Sequence, residues 1–139
     1  IDCILATTLT VMLVNNGYAL IFHVGDAKVI KYDGQTGEIS KLTNDHVKKI
    51  EGSDKLYLTQ CLGNVLNRKP SIYMNYSEVN DSDRFYVGTD GIFGTLEEGE
   101  VVGQCGENAC NSLMMKAREK GSTDNITIIT LEVKGGANE

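Results

Sequence analysis

The sequence predicts an α+β domain whose sheets are mostly antiparallel. Three observations carry this. Short strand-like runs separated by tight-turn pairs fill the first third of the chain. An apolar residue recurs every four positions from Val101 to Ala117. A strongly β-branched run at 126–133 closes the chain. Period-2 and period-4 apolar patterns that occupy separate segments mark strands and an amphipathic helix, respectively.

Residues 7–14 alternate Thr and Val with Leu and Met, a strand pattern, and Asn15-Asn16-Gly17 is a hairpin signal. Residues 18–24 are nearly all apolar and are expected to be a strand buried on both faces. Gly25-Asp26 makes a tight turn into a third strand at 27–32, which ends in Asp33-Gly34. Three strands joined by short turns predict an antiparallel meander. Thr43, Asn44 or Asp45 can cap a short helical turn over 47–50, which Gly52-Ser53-Asp54 would break. Residues 56–63 are apolar without a clear period, and 64–70 read as a polar loop. Residues 71–76 suit an edge strand, and 78–83 an acidic surface turn.

The stretch Arg84-Phe85-Tyr86-Val87-Gly88-Thr89-Asp90-Gly91 reads as a short buried strand that ends on a carboxylate. Gly91 is expected to let the backbone turn sharply. Residues 91–96 suit one turn of helix, and the acids at 97–100 favour a helix start through the macrodipole. The stripe Val101, Cys105, Ala109, Leu113, Ala117 then predicts one amphipathic helix that stops at Lys120-Gly121. Residues 121–125 swing into the last strand, and 134–139 form a Gly-rich tail.

The 139 residues suit a single domain with a true core. A net charge of −6 lacks the basic face that nucleic acid or an anionic membrane requires. The apolar opening at 1–14 is interrupted by Asp2 and several Thr and is too short to span a bilayer. The four cysteines have no CxxC spacing and only His23 and His46 accompany them, which argues against zinc. His23 reads as a packed or edge residue, and Cys61 and Cys105 as small core hydrophobes. Reduced thiols fit a cytoplasmic location. The chain opens almost inside a strand, so upstream residues are expected to contribute to the fold.

Three carboxylates share a setting. Asp26 lies in the turn that leaves the second strand, Asp90 at the end of the central strand, and Asp124 just before the last one. An Asp-Gly pair is equally a common turn. If the last strand runs antiparallel to the central one, Asp90 and Asp124 lie at one edge of the sheet. Clustered acids repel and raise each other's pKa values. A hard divalent cation, Mg²⁺ or Mn²⁺, removes that cost and brings a water poised for hydrolysis.

Six short motifs, in order, then resemble the metal-dependent Ser/Thr protein phosphatases of the type 2C class. Ala6-Thr7-Thr8 is similar to that family's Gly-Thr-Thr, and Gly25-Asp26-Ala27-Lys28 to its Gly-Asp-Ser-Arg. Leu42-Thr43-Asn44-Asp45-His46 resembles Leu-Thr-x-Asp-His, and Leu58-Thr59-Gln60-Cys61-Leu62-Gly63 resembles Thr-Gln-Ala-Leu-Gly. Thr89-Asp90-Gly91 is similar to Ser-Asp-Gly, and residues 121–127 to Gly-x-x-Asp-Asn-Ile-Thr. The resemblance implies that residues 1–139 are the C-terminal part of a four-layer α-β-β-α sandwich with a binuclear Mg²⁺ or Mn²⁺ centre. It implies that Asp90 and Asp124 ligate one metal, and that Asp26 with Asp90 holds a further, weaker one. Asn125 would support the site, and no catalytic side chain is assigned. The implied reaction is attack of a metal-bridging water on phosphoserine or phosphothreonine of a protein substrate, without a covalent phosphoenzyme.

The family's Asp-Gly-x-Gly-Gly motif, whose Asp bridges the metals, does not occur in these residues, and Ala27 and Lys28 replace Ser and Arg. These residues alone are therefore expected to hydrolyse phosphate esters poorly. A catalytically degenerate binding or regulatory module is the alternative, and an inert sandwich with coincident turn acids is a further one. A truncated sandwich would expose sheet faces that invite self-association.

Overall fold

A computed structural model describes residues 5–53, 56–63 and 69–135. Residues 1–4 of the opening, Asp54 of the expected break, most of the expected 64–70 loop and the end of the tail lie outside the described residues. In chain order the strands β1 (Ala6–Thr7), β2 (Leu9–Asn15), β3 (Tyr18–Val24), β4 (Lys28–Tyr32) and β5 (Ile39–Lys41) come first. Next are β6 (Val47–Lys49), β7 (Leu56–Leu58), β8 (Leu62–Gly63), β9 (Tyr73–Glu78) and β10 (Arg84–Gly88). Helices α1 (Asp90–Phe93), α2 (Glu98–Val102) and α3 (Ala109–Glu119) precede the last strand, β11 (Ile128–Glu132).

Every pairing is antiparallel. One sheet has the order β11-β10-β4-β5 and a second the order β2-β3-β9, with two small ribbons, β1-β8 and β6-β7. The α+β expectation holds, and β10 is central as the sequence predicted. The meander does not form. The β2-β3 hairpin closes on Asn16-Gly17, where both φ angles are positive (48° and 77°), as a type I′ turn requires. At Gly25, however, the chain leaves β3 and enters the other sheet as β4. Gly25 has φ +123°, and a Cβ there would fall 2.3 Å from the Thr8 side chain, so only glycine makes this crossing.

Side chains alternate as the pleat demands. Ala19 and Ile21 of β3 meet Val29 of β4, Phe85 of β10 and Leu42 in a cluster that joins the two sheets. From the other face, Ile30 and Tyr86 pack against Ile92, Phe93, Leu96, Val101, Val102, Leu113 and Ala117. The described residues thus supply three layers of the expected four: helices, sheet, sheet. Among the described residues nothing covers the outer face of the second sheet. Leu13, Leu20 and Tyr76 form a cross-strand row and are 53%, 44% and 69% exposed. Strand β3 is therefore buried on one face, not two, and β9 is the edge strand expected at 71–76.

Two helical expectations change. Residues 47–49 form β6 against β7 rather than a helical turn. The stripe from Val101 to Ala117 is divided between α2 and α3. Gly103 and Gly106 lie between them, and glycine costs a helix interior about 1 kcal/mol each relative to alanine. The loop is held by Tyr86, whose hydroxyl donates to the Gln104 carbonyl at 2.8 Å. Cys105 falls in that loop and is exposed, not core. Glu100 of α2 spans the gap to α3. The Lys120 ammonium at 2.7 Å, with the Glu97 backbone N–H, lowers its carboxyl to about 2.

Among the described residues one ion pair lies inside the fold. Lys31 Nζ is 2.8 Å from Asp83 Oδ2, and their side chains are 9% and 0% exposed. Asp83 also accepts from the backbone N–H groups of Asn80 and Gly34, and Lys31 donates to the Glu78 carbonyl. Asp83→Ala strands a buried ammonium and two backbone donors, so it is expected to cost about 3–5 kcal/mol. Urea unfolding checks this, and a wild-type midpoint would contradict it.

Candidate metal centre

Strand register builds the site. Gly88 of β10 pairs with Lys28 of β4 on one side and with Ile128 of β11 on the other. Because both pairings are antiparallel, the residues before Lys28, after Gly88 and before Ile128 emerge at one end of the sheet. Those segments carry Asp26, Asp90 and Asp124. The expected antiparallel run of the last strand against the central one is observed.

Hydrogen bonds lock the segments together. Thr89 Oγ1 donates to the Asn125 carbonyl at 3.2 Å and accepts from the Thr127 N–H at 3.1 Å. Ser122 Oγ donates to the Gly91 carbonyl at 2.8 Å. A Cβ on residue 91 would sit 2.3 Å from the Asn125 carbonyl oxygen. Gly91 therefore serves close approach of the two loops. It lies inside α1, and Asp90 is that helix's first residue rather than the last of the strand.

A cleft of about 210 Å³ opens at this end, with Asp26, Asp45 and Asp90 in its wall beside Lys28, Val47, Tyr57 and Phe93. Partial burial pushes the Asp26 carboxyl above its ordinary value, and Asp90 and then Asp45 push it further. The acids thus stand close enough to repel. Asp124 is not in this wall. It stands on the adjoining loop, where its Oδ1 accepts from the Asn125 N–H at 2.7 Å.

Asp45 carries no role in the sequence reading beyond a candidate helix cap. Its segment runs beside β4, because Leu42 N–H donates to the Val29 carbonyl and Val29 N–H to Thr43 Oγ1. Asp45 Oδ2 lies 3.4 Å from Lys28 Nζ. Its Oδ1 is buried without a hydrogen-bond partner. The signal in the sequence is the Asp-His pair of Leu42-Thr43-Asn44-Asp45-His46.

His23 is buried and packed, as expected. It is held between Thr10 Oγ1 and the Gly25 carbonyl, and burial lowers its imidazole pKa. Among the described residues no three His, Cys, Asp or Glu side chains converge into a closed metal cage. Two repelling carboxylates and one unpartnered buried oxygen fit a largely hydrated hard cation, the form in which Mg²⁺ is bound through one or two carboxylates. They do not fit zinc.

The raised Asp26 carboxyl gives a signed expectation. In metal-free protein its favourable contribution is complete below the ordinary carboxylate pKa and is lost as pH rises through the higher folded value. Asp26→Asn is therefore expected to raise the Tm of the metal-free protein at pH 7. The gap should close on acidification, and Mn²⁺ should narrow or reverse it by stabilising the wild type more than the variant. Thermal melts across pH check this; a variant less stable than wild type without metal would contradict it.

Known proteins share the family pattern and the fold. A family model described as Protein phosphatase 2C matches residues 4–123. Among solved structures, a serine/threonine phosphatase of S. agalactiae superposes with TM-score 0.80 at 20% identity, covering 94% of this chain and 60% of that one. The Mycobacterium tuberculosis serine/threonine phosphatase PstP/Ppp gives 0.79 at 18% identity, covering 94% and 61%. A PstP catalytic domain in complex with two manganese ions gives 0.73 at 20% identity, covering 93% and 60%. The chain thus spans about three-fifths of the length of these structures. Among curated proteins none matches. With the family pattern running through most of its length, the chain belongs to the protein phosphatase 2C family.

Proposed function

We propose that this chain is part of an Mg²⁺- or Mn²⁺-dependent phosphatase that removes phosphate from serine and threonine of protein substrates. The observation that carries the reading is the pair Asp26 and Asp90, brought to one cleft and repelling there. Family membership and the two manganese ions in a similar PstP domain support the choice of metal.

When bound, the cation supplies charge neutralisation and an acidified water for attack on phosphorus. The chain's own contribution is positional. Asp26 and Asp90 would hold the ion, and Asp124 on the adjoining loop would contribute a further carboxylate, with Asn125 in support. Lys28 offsets the negative charge of Asp45 and keeps a cation at the lip of the cleft. No helix among the described residues is long and apolar enough to cross a membrane. The free thiols of Cys61, Cys105 and Cys110 support a cytoplasmic location.

A second reading, a degenerate binding module, draws on the lack of an Asp-Gly-x-Gly-Gly motif in these residues and of a closed cage among the described ones. Calorimetric titration with Mn²⁺ and turnover of p-nitrophenyl phosphate test both. The phosphatase reading expects weak Mn²⁺ binding that Asp90→Asn weakens by at least about tenfold. It expects near-background turnover by these residues alone and Mn²⁺-dependent turnover once a segment bearing the bridging motif is joined to them. No heat from either protein would sink the metal site. Strong turnover by the 139 residues alone would contradict the expectation that the bridging motif is needed.

A further inference from the structure

We propose that His23 and His46 are positioning residues that clamp Gly25 and thereby aim the Asp26 carboxylate. The inference rests on the reading of Asp26 as a metal ligand.

Gly25 is the least constrained residue type at a demanding place: φ is +123°, and no side chain exists to pack it. Its polar groups are nevertheless fully held. The Gly25 N–H donates to His46 Nδ1 at 3.1 Å. The Gly25 carbonyl accepts from His23 Nε2 at 2.9 Å and from the His46 backbone N–H at 2.7 Å. A peptide unit is planar, so fixing that carbonyl also fixes the Asp26 nitrogen and Cα. The plane that leads into Asp26 is thus held by the His23 imidazole and the His46 backbone N–H, and the plane before it by the His46 imidazole.

The clamp is itself held. The two rings stack with centroids 5.2 Å apart and planes 25° apart. Thr10 Oγ1 lies 2.9 Å from His23 Nδ1, and the Thr59 N–H donates to the His46 carbonyl at 2.7 Å. Partner chemistry dictates the tautomers. A carbonyl only accepts, so His23 carries its proton on Nε2, and Nδ1 accepts from the Thr10 hydroxyl. A backbone N–H only donates, so His46 Nδ1 is bare and its proton is on Nε2. His46 also follows Asp45, so the same residue ties a second wall of the cleft to the Gly25 turn.

Variants that keep or remove one atom separate positioning from packing. Asn places Oδ1 as many bonds from the backbone as His Nδ1, so His46→Asn retains the acceptor and His46→Leu does not. By the same argument His23→Gln retains the Nε2 donor and His23→Leu does not. Mn²⁺ binding is read from the loss of the free Mn²⁺ electron paramagnetic resonance signal. The Leu variants are expected to bind about tenfold more weakly, and His46→Asn and His23→Gln within about twofold of wild type. Equal losses in the Leu and amide variants, or no loss in either Leu variant, would overturn the clamp. If the Leu variants do not fold, nitrogen-15 spectra of the wild-type imidazoles decide. Protons on both Nε2 atoms are expected, and an Nδ1–H form of either ring overturns the proposal. Wild type that binds no Mn²⁺ while showing these tautomers would overturn the metal reading instead, and with it the role assigned to the clamp.

Discussion

The pairing of Gly88 with both Lys28 and Ile128 is the constraint on which the candidate site depends. One register in three adjacent strands decides that Asp26, Asp90 and Asp124 leave the sheet at the same end. A slip of one residue would turn every side chain of β10 to the opposite face and take Tyr86 out of the helical layer. The burial of Phe85 against one sheet and Tyr86 against the helices holds that register. Core packing, rather than attraction among the candidate site residues, therefore gathers the acids. Burial and then the Asp90 charge raise the Asp26 carboxyl, so these two acids repel rather than attract.

Repulsion maintained by a packed scaffold is a form of stored binding energy. A cation that enters the cleft gains what the metal-free protein loses, which is why such sites are built from strand ends and tight turns rather than mobile loops. The Gly25 crossing illustrates the point. It needs a backbone conformation that only glycine takes freely, and it is fastened by histidines from β3 and from the segment beside β4. The buried Lys31–Asp83 pair ties β4 to the approach to β10 at the opposite end of the sheet.

Much of this is legible in the residues alone. The aromatic and β-branched runs at 84–88 and 128–132 declare their strands, and the three turn acids are visible beside them. What escapes is information held in tertiary contacts. Gly25-Asp26 has the composition of a hairpin turn, and only the Thr8 contact and the partition of the core show that it passes between sheets. The four-residue stripe runs on through Cys105 although Gly103 and Gly106 interrupt the helix, because periodicity is blind to local backbone cost. Asp45 is hidden by a helix-cap reading that β6 supplants. Gly91 reads as a turn residue, and the contact that requires it is the approach of Asn125.

Paramagnetic line broadening by substoichiometric Mn²⁺ in a proton–nitrogen spectrum of the 139-residue chain tests the central claim most directly. Broadening centred on Gly25–Ala27, on the Asp45 amide and on Thr89–Gly91, and extending to Asp124 and Asn125, is the result the account predicts. Broadening confined to other acidic segments such as Glu97–Glu100, or none at all, would contradict it.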